Sequence, residues 1–247
     1  MKYNFNFAKF FKKFNLVSIV LTLISLLLII LNGLNYGIDF KGGTLLEIRL
    51  DDKNTKISSI RDSLSNLDLG DVSVKNFGED GDFIIKIEKK VENNNDFIST
   101  IKSSLDQNLN QETNLRRVES VGPKVSEELL KSGLISIGLA LLMMLIYIWF
   151  RFEWQFSLGS IVALFHDVLI TIGIFSLLSI EINLSIVAAV LTIVGYSMND
   201  TVVIYDRIRE NLSKYNKIEI DQISNMSINE TLSRTLITSV TTLLALF

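Results

Sequence analysis

The strongest candidate for chemistry in this sequence is a carboxyl group inside an apolar segment. Residues Ile182 to Ile204 are largely apolar but contain the polar run Gly195-Tyr196-Ser197-Met198-Asn199-Asp200-Thr201. An ionisable group at the centre of a bilayer costs at least about 2.5 kcal/mol on insertion scales, so its position needs a reason. Tyr196, Asp200 and Arg207 have the spacing i, i+4 and i+11, which predicts one helical stripe facing the interior of a bundle.

Two interpretations of Asp200 are open. A carboxyl group withdrawn from water can alternate between charged and neutral forms, and coupling to a proton gradient requires such alternation. Alternatively, Asp200 pairs with a cation, for instance Arg234, and locks the helices together. Asn199 and Tyr196 lie beside the carboxyl group and complete this set of candidate proton-coupling residues.

Three further groups of charged residues need interpretation. His166 and Asp167 lie in the middle of another apolar run, where they extend a proton relay or serve structural hydrogen bonds. Arg234 precedes a further apolar run, so its long side chain can simply reach the membrane interface. The last group consists of predicted cytoplasmic helix-end anchors, namely Asp206, Arg207 and Arg209.

Composition places these residues in a membrane protein. Of the 247 residues, 48% are hydrophobic, and the apolar ones are gathered into long blocks. The net charge of -3 and the absence of a basic patch argue against nucleic-acid binding. With no cysteine and one histidine, the sequence predicts neither a disulfide, nor a metal site, nor a cofactor, and it contains no catalytic nucleophile with a matching base.

The apolar blocks predict a polytopic α-helical membrane protein, because about 20 apolar residues cross the hydrocarbon layer. The predicted spans are Phe14 to Leu34, Gly133 to Phe150, Phe156 to Leu178, Ile182 to Ile204, and a fifth run from Leu236 to Phe247. The fifth run has only about 12 residues, so we expect a truncated helix there. The expected organisation is a tail at 1–13, the first helix at 14–34, a folded domain at 35–132, and helices two to five at 133–247.

The short loops predict one orientation. Lysine and arginine residues flank the first span on its N-terminal side, the second-to-third connection, and the segment before the fifth run, so these flanks are expected to be cytoplasmic. The domain at 35–132 then lies on the opposite side. A cleaved signal peptide is the alternative for the first span, but the apolar core is too long and no A-x-A site follows it.

Residues 43–122 have the pattern of a soluble α+β domain. The predicted strands and helices alternate as β-α-β-β-α-β, the ferredoxin-like order: Thr44 to Leu50, Thr55 to Leu67, Val72 to Phe77, Asp82 to Glu88, Phe97 to Leu109, and Asn114 to Val121. A hairpin turn is expected at 78–81. A fold this common does not define an activity, and we expect the domain to bind or to transmit motion.

Four motifs resemble the SecD/SecF family of the resistance-nodulation-division (RND) superfamily. They are Gly37-Ile38-Asp39-Phe40-Lys41-Gly42-Gly43, Val121-Gly122-Pro123, His166-Asp167-Val168, and the long run from Gly195 to Asn211. The resemblance extends from about residue 37 to the end of the sequence, and the topology is that of an RND half-unit, although the sixth helix of the family pattern is absent.

The resemblance implies a proton-coupled transport subunit and no enzyme. Its partners would be SecD, the SecYEG channel, a translocating preprotein, protons and the lipid bilayer. It would use the proton-motive force in late steps of export across the bacterial cytoplasmic (inner) membrane, with the large domain periplasmic. Asp200 would be the family's acidic membrane position and Arg234 its basic partner. A passive scaffold for the channel and another RND-type exporter remain alternatives.

Overall fold

The computed structural model of the protein describes residues 5–88, 95–152, 154–215 and 217–246. Lys2 of the predicted tail and Phe247 of the predicted fifth run lie outside them. The chain forms two compact units. The membrane unit comprises Met1–Asn35, Ile137–Ile180 and Ser185–Phe247, and the sheet unit comprises Tyr36–Ser136 and Glu181–Leu184.

In the described part of the chain, the α-helices and strands follow the predicted order, and three short elements are added to it: one helix of four residues and two strands of two residues each. The helices are α1 Phe11–Asn32, α2 Ile38–Lys41, α3 Ile57–Leu64, α4 Asn95–Leu109, α5 Pro123–Arg151, α6 Trp154–Leu177, α7 Leu184–Lys214 and α8 Ile220–Leu246. The strands are β1 Asn35–Tyr36, β2 Gly43–Leu50, β3 Val72–Asn76, β4 Asp82–Ile87, β5 Thr113–Val121 and β6 Glu181–Ile182.

Four of the described helices are long and apolar enough to cross a membrane. They span Ala8–Asn32, Pro123–Arg151, Trp154–Leu177 and Leu184–Lys214. All four are longer than the predicted apolar runs, and the difference is large in α5, which starts at Pro123, and in α7, which continues to Lys214. Proline suits the first turn of a helix, since its missing N–H would have no partner there. Hydropathy therefore locates the lipid-facing part of a helix and misses its polar ends.

Helix α8 also extends beyond its predicted apolar run, and by more residues than the other helices. It begins at Ile220, long before the predicted apolar run at Leu236. Its buried residues Ile223, Ser227 and Thr231 are spaced four apart, so one side of this polar half packs inside the membrane unit.

Helices α1 and α6 pack closely through small residues. A β-carbon on Gly173 of α6 would lie 2.8 Å from the Cα atom of Ser25 on α1, and Ser25 is buried. Near the end of α1, the Ser176 hydroxyl lies 3.1 Å from the Leu28 carbonyl oxygen and 2.8 Å from that of Gly33. Small residues let membrane helices approach closely, and hydroxyls satisfy carbonyls that lipid cannot.

The sheet unit is the predicted ferredoxin-like domain. Its four-stranded antiparallel sheet has the order β3-β4-β2-β5, and the helices α3 and α4 follow β2 and β4 in the chain. The central strand β2 alternates between buried and half-buried residues, which places Leu46, Ile48 and Leu50 in the core with Ile85 of β4. A bulge interrupts the β2–β5 register between Glu47 and Ile48.

The Gly37 to Gly43 motif forms the entry to this sheet. The short helix α2 lies between the two ends of the motif, and it was not predicted. Gly43 has φ = +114°, and a β-carbon there would overlap the carbonyl oxygen of Ile87. Only glycine fits this position without strain, because other residues rarely adopt such a φ.

Candidate functional site

Helix α7 turns its apolar side toward α5 and α6. Val194 and Met198 are buried in a cluster with Ile148, Phe152 and Leu164. Tyr196 lies two residues from both Val194 and Met198, which is about 200° around the helix, and this tyrosine is 53% exposed. The prediction that Tyr196 faces the interior of this chain's bundle is therefore wrong.

Asp200 lies farther along α7 in a half-buried position, and Asn199 beside it is exposed. Arg234 on α8 is also exposed. Across residues 5–88, 95–152, 154–215 and 217–246, the Asp200 carboxyl group and the Arg234 guanidinium group form no hydrogen bond or ion pair. Asp200 and Arg234 thus lie on neighbouring helices but do not form the ion pair that would hold these helices together.

The second candidate pair joins α6 to α7. The His166 Nδ1 atom lies 2.9 Å from Asp167 Oδ1, so these adjacent side chains contact each other. The other carboxylate oxygen of Asp167 accepts a hydrogen bond from the Ser197 hydroxyl of α7. Ser197 stands one turn before Asp200, so a polar path of three side chains leads from α6 to the turn that carries the main candidate.

His166 has one ring nitrogen left over. Its Nε2 atom is buried and has no hydrogen-bond partner within the described part of the chain. The ring borders a groove of about 760 Å³ between α1 and α6, together with Asn15, Ser18 and Thr22. The sequence predicts a role for His166 and Asp167 but gives no separate signal for Ser197, which lies within the polar run around Asp200.

Helices α7 and α8 are joined by a polar contact that sequence reasoning also missed. Asn211 Nδ2 donates to Ser227 Oγ and to Glu230 Oε2, each at 2.9 Å. Arg207 Nε donates to the same Glu230 oxygen at 2.6 Å, and Arg207 Nη1 donates to Glu210 Oε2 at 2.6 Å. Asn211 is 2% exposed and Ser227 is fully buried, so this contact lies inside the packed interface.

The electrostatics of this contact keep the Glu230 carboxyl group ionised. The hydrogen bond from Arg207 holds the pKa of the Glu230 carboxyl below its ordinary value of 4.5, against the effect of desolvation, and Asn211 and Lys214 act in the same direction. Glu230 therefore stays ionised near neutral pH. A spacing signal existed in the sequence, because Asn211 lies on the helical stripe of Asp200 and Arg207.

The other two predicted anchors contact α5. Asp206 Oδ1 accepts hydrogen bonds from Arg151 Nη2 and from Arg209 Nη2, each at 2.9 Å. Both guanidinium groups lie against the Phe152 ring, at 5.0 and 5.5 Å from its centre. All three predicted anchors thus make contacts between helices: Asp206 and Arg209 toward α5, and Arg207 toward α8.

In the sheet unit, a short piece of the α6–α7 connection is bound to the glycine motif. Gly37 N donates to the Ile182 carbonyl oxygen at 2.8 Å, and Asp39 Oδ2 accepts a hydrogen bond of 2.9 Å from Leu184 N. Lys86 of β4 forms an ion pair with Glu181. These bonds explain why residues 181–184 belong to the sheet unit.

A buried carboxylate also lies on the sheet. Asp82 accepts hydrogen bonds from Arg49 Nε at 2.5 Å and from Arg49 Nη2 at 2.6 Å, and Arg116 Nη1 lies 3.6 Å away. The bond from Arg49 holds the pKa of Asp82 below its ordinary value of 3.8. This pair is structural, because it joins β2 to β4 directly across the register.

The sequence matches two family descriptions. Residues 100–247 match "Protein export membrane protein SecD/SecF, C-terminal", and residues 27–53 match "SecD/SecF GG Motif". The protein translocase subunit SecF of Rickettsia felis is 46% identical over 245 residues, which are 99% of this chain and 79% of that protein. SecF of Rickettsia prowazekii is also 46% identical over 245 residues, covering 99% of this chain and 78% of that protein.

Two solved structures resemble the fold. The crystal structure of SecDF, a translocon-associated membrane protein from Thermus thermophilus, matches with a TM-score of 0.87 and 33% identity. SecDF in a super-membrane-facing form matches with a TM-score of 0.68 and 32% identity. The matches cover 98% and 99% of this chain and 33% of each SecDF chain, so the chain spans about a third of SecDF.

Proposed function

Because the chain belongs to the SecD/SecF family of protein export membrane proteins, we propose that it is a proton-coupled subunit of the Sec export machinery. It acts with a SecD partner at the SecYEG channel, in the bacterial cytoplasmic membrane. The proton-motive force, through Asp200, promotes late steps in which a preprotein is drawn across the membrane. The N-terminus is cytoplasmic and the sheet unit periplasmic, in line with the lysine and arginine residues of the short loops.

The observation that carries the proposal is the position of Asp200. It is half-buried in a helix apolar enough to span the membrane, and it has no partner within the described residues. A carboxylate without a partner in a low-dielectric environment gains much from a proton or from a cation, so it responds to proton supply. A carboxylate already locked by Arg234 would respond far less.

Protonation then changes what Asp200 attracts. In its ionised form it draws the Arg234 guanidinium, and in its neutral form it releases that cation toward the interface. Asn199 and Tyr196 stand on the exposed side of α7, where a partner subunit can cover them. His166 and Asp167, joined to α7 by Ser197, extend the proton path toward α6.

The solved SecDF structures support a function that involves conformational change. This chain matches the two SecDF structures with TM-scores of 0.87 and 0.68 at nearly equal identity, and the second is described as a super-membrane-facing form, so solved SecDF structures differ in arrangement. A fold with two arrangements can be biased by a charge that appears and disappears.

The test is a vesicle assay with the assembled complex and an imposed pH gradient. Asp200→Asn should keep membrane insertion and assembly with SecD but abolish gradient-dependent export, and Asp200→Glu should retain part of it because the carboxyl group remains. Undiminished export by Asp200→Asn would contradict the proposal. Loss of export that always accompanies loss of assembly would indicate a passive scaffold.

A further inference from the structure

The contact between α7 and α8 has a defined register. We name the four residues Arg207, Asn211, Ser227 and Glu230 the α7–α8 clamp. Asn211 contacts Ser227, and Arg207, one turn earlier in α7, contacts Glu230, about one turn later in α8. Residue numbers fall along one helix as they rise along the other, so the helices are antiparallel at the clamp.

The clamp lies on the same helical stripes as the proposed proton-coupling residues. On α7, Asp200 precedes Arg207 by seven residues, which returns to nearly the same side of the helix. On α8, Arg234 follows Ser227 by seven residues and Glu230 by four. The stripes that meet at the clamp therefore continue toward Asp200 on one helix and Arg234 on the other.

Helical rise gives the spacing between the two charged groups. Measured from the Asn211–Ser227 level, Asp200 lies about 16.5 Å along α7 and Arg234 about 10.5 Å along α8, so their levels differ by about 6 Å. An extended arginine side chain can cover such an offset, while a retracted one leaves the carboxyl group free. This agrees with the absence of an Asp200–Arg234 ion pair among the described residues.

We propose that Glu230 and Asn211 are positioning residues that fix the register of α8 on α7 and so keep Arg234 within reach of Asp200. This inference rests on the proposed function for its meaning, but the register itself can be measured without it. Glu230 and Asn211 contact neither Asp200 nor Arg234, and they act through the helices that carry them.

The chain provides a matched control. Glu210 also accepts a hydrogen bond from Arg207, yet it belongs to α7 and makes no link to α8. Glu210→Gln removes a carboxylate from the same arginine without opening the clamp. Ile223→Ala is a second control, because it removes a buried side chain of α8 but keeps the backbone carbonyl that accepts the hydrogen bond from the Ser227 hydroxyl.

Register is tested by thiol cross-linking of the full chain, which has no cysteine of its own. Ile204 lies on the clamp stripe at the level of Arg234, so the pair Ile204→Cys with Arg234→Cys should react well with a short bifunctional reagent. The yield should be lost with Glu230→Ala or Asn211→Ala, kept with Glu210→Gln, and regained when Arg207→Glu is combined with Glu230→Arg. Equal yields in all these proteins, or none in the parent pair, would overturn the proposal.

The consequence for transport is tested in the assembled complex with Asp200 and Arg234 intact. Glu230→Ala should need a steeper pH gradient for half of its maximal export rate, and the charge-exchanged double variant should restore the native dependence. Ile223→Ala should lower only the amount of complex. If Asp200→Asn exports normally, the proposed function is wrong, but the cross-linking result still shows whether the clamp sets the register. If Asp200→Asn is inactive and Glu230→Ala needs the same pH gradient as the native protein, only the positioning role is rejected.

Discussion

The Ser197 hydroxyl of α7 donates a hydrogen bond to the carboxylate of Asp167 on α6. This bond links two helices at a level where lipid offers no alternative partner. Hydrogen bonds between membrane helices contribute about 0.6 kcal/mol on average, so Ser197→Ala should lower the free energy of unfolding in mixed micelles by about that amount. Ser197→Thr keeps the hydroxyl and serves as the control. Equal losses from both variants would mean that packing, and not the hydrogen bond, is responsible.

The approach of α1 to α6 gives a second prediction. A β-carbon on Gly173 would meet the backbone of Ser25, so Gly173→Val should force the helices apart and cost roughly 1 to 3 kcal/mol, as overpacking usually does. Gly138 in α5 has open space around its Cα, and Gly138→Ala should be tolerated. Denaturant titration of the purified chain in mixed micelles would measure both. Similar midpoints for the two variants would contradict the close contact.

The glycine motif gives a third prediction. Gly43→Ala should lower the stability of the sheet unit by roughly 1 to 3 kcal/mol, because the backbone is strained for any other residue and the Ile87 carbonyl blocks the side chain. Gly78 also has a positive φ, +69°, but nothing lies near it, so Gly78→Ala should cost less. Amide hydrogen exchange of β2 and β4 in the full chain would report both changes. A larger effect at Gly78 would show that the close approach to Ile87 is unimportant.

Acid should weaken the sheet unit through Asp82. Its folded-state pKa is lowered, so its contribution to stability is present above the unfolded value of about 4 and is lost as the pH falls through the folded value. Asp82→Asn should already be less stable at neutral pH and should respond less to acid. Hydrogen exchange of β2 and β4, corrected for the intrinsic effect of pH, measures this. An unchanged acid response in Asp82→Asn would assign the effect to other groups.

Much of the fold could be predicted from the sequence because its signals are local. Alternation in β2 and the spacing of Ile101 and Leu105 in α4 mark buried faces, and long apolar runs mark membrane helices. The start of α8 could not be found this way, since its buried side contains Ser227 and Thr231, which hydropathy scores as polar.

The candidate site was predicted in its parts but not in its arrangement. Asp200 stands out because a carboxylate is unusual in an apolar run, whereas Asn211 and Glu230 are ordinary residues outside the apolar runs. Their importance comes from contacts between helices, and a single sequence does not state which side of α8 faces α7. Tyr196 was misplaced for the same reason, because helical spacing groups residues into a stripe without saying what covers it.

The binding of residues 181–184 within the sheet unit has a mechanical consequence. This tetrapeptide is held there by Gly37, Asp39 and Lys86, and its backbone runs on without interruption as α7. A pulling force on the sheet is therefore passed along covalent bonds to the first turn of that helix. Helix α7, which carries Asp200, is thus also a helix to which such a force is transmitted.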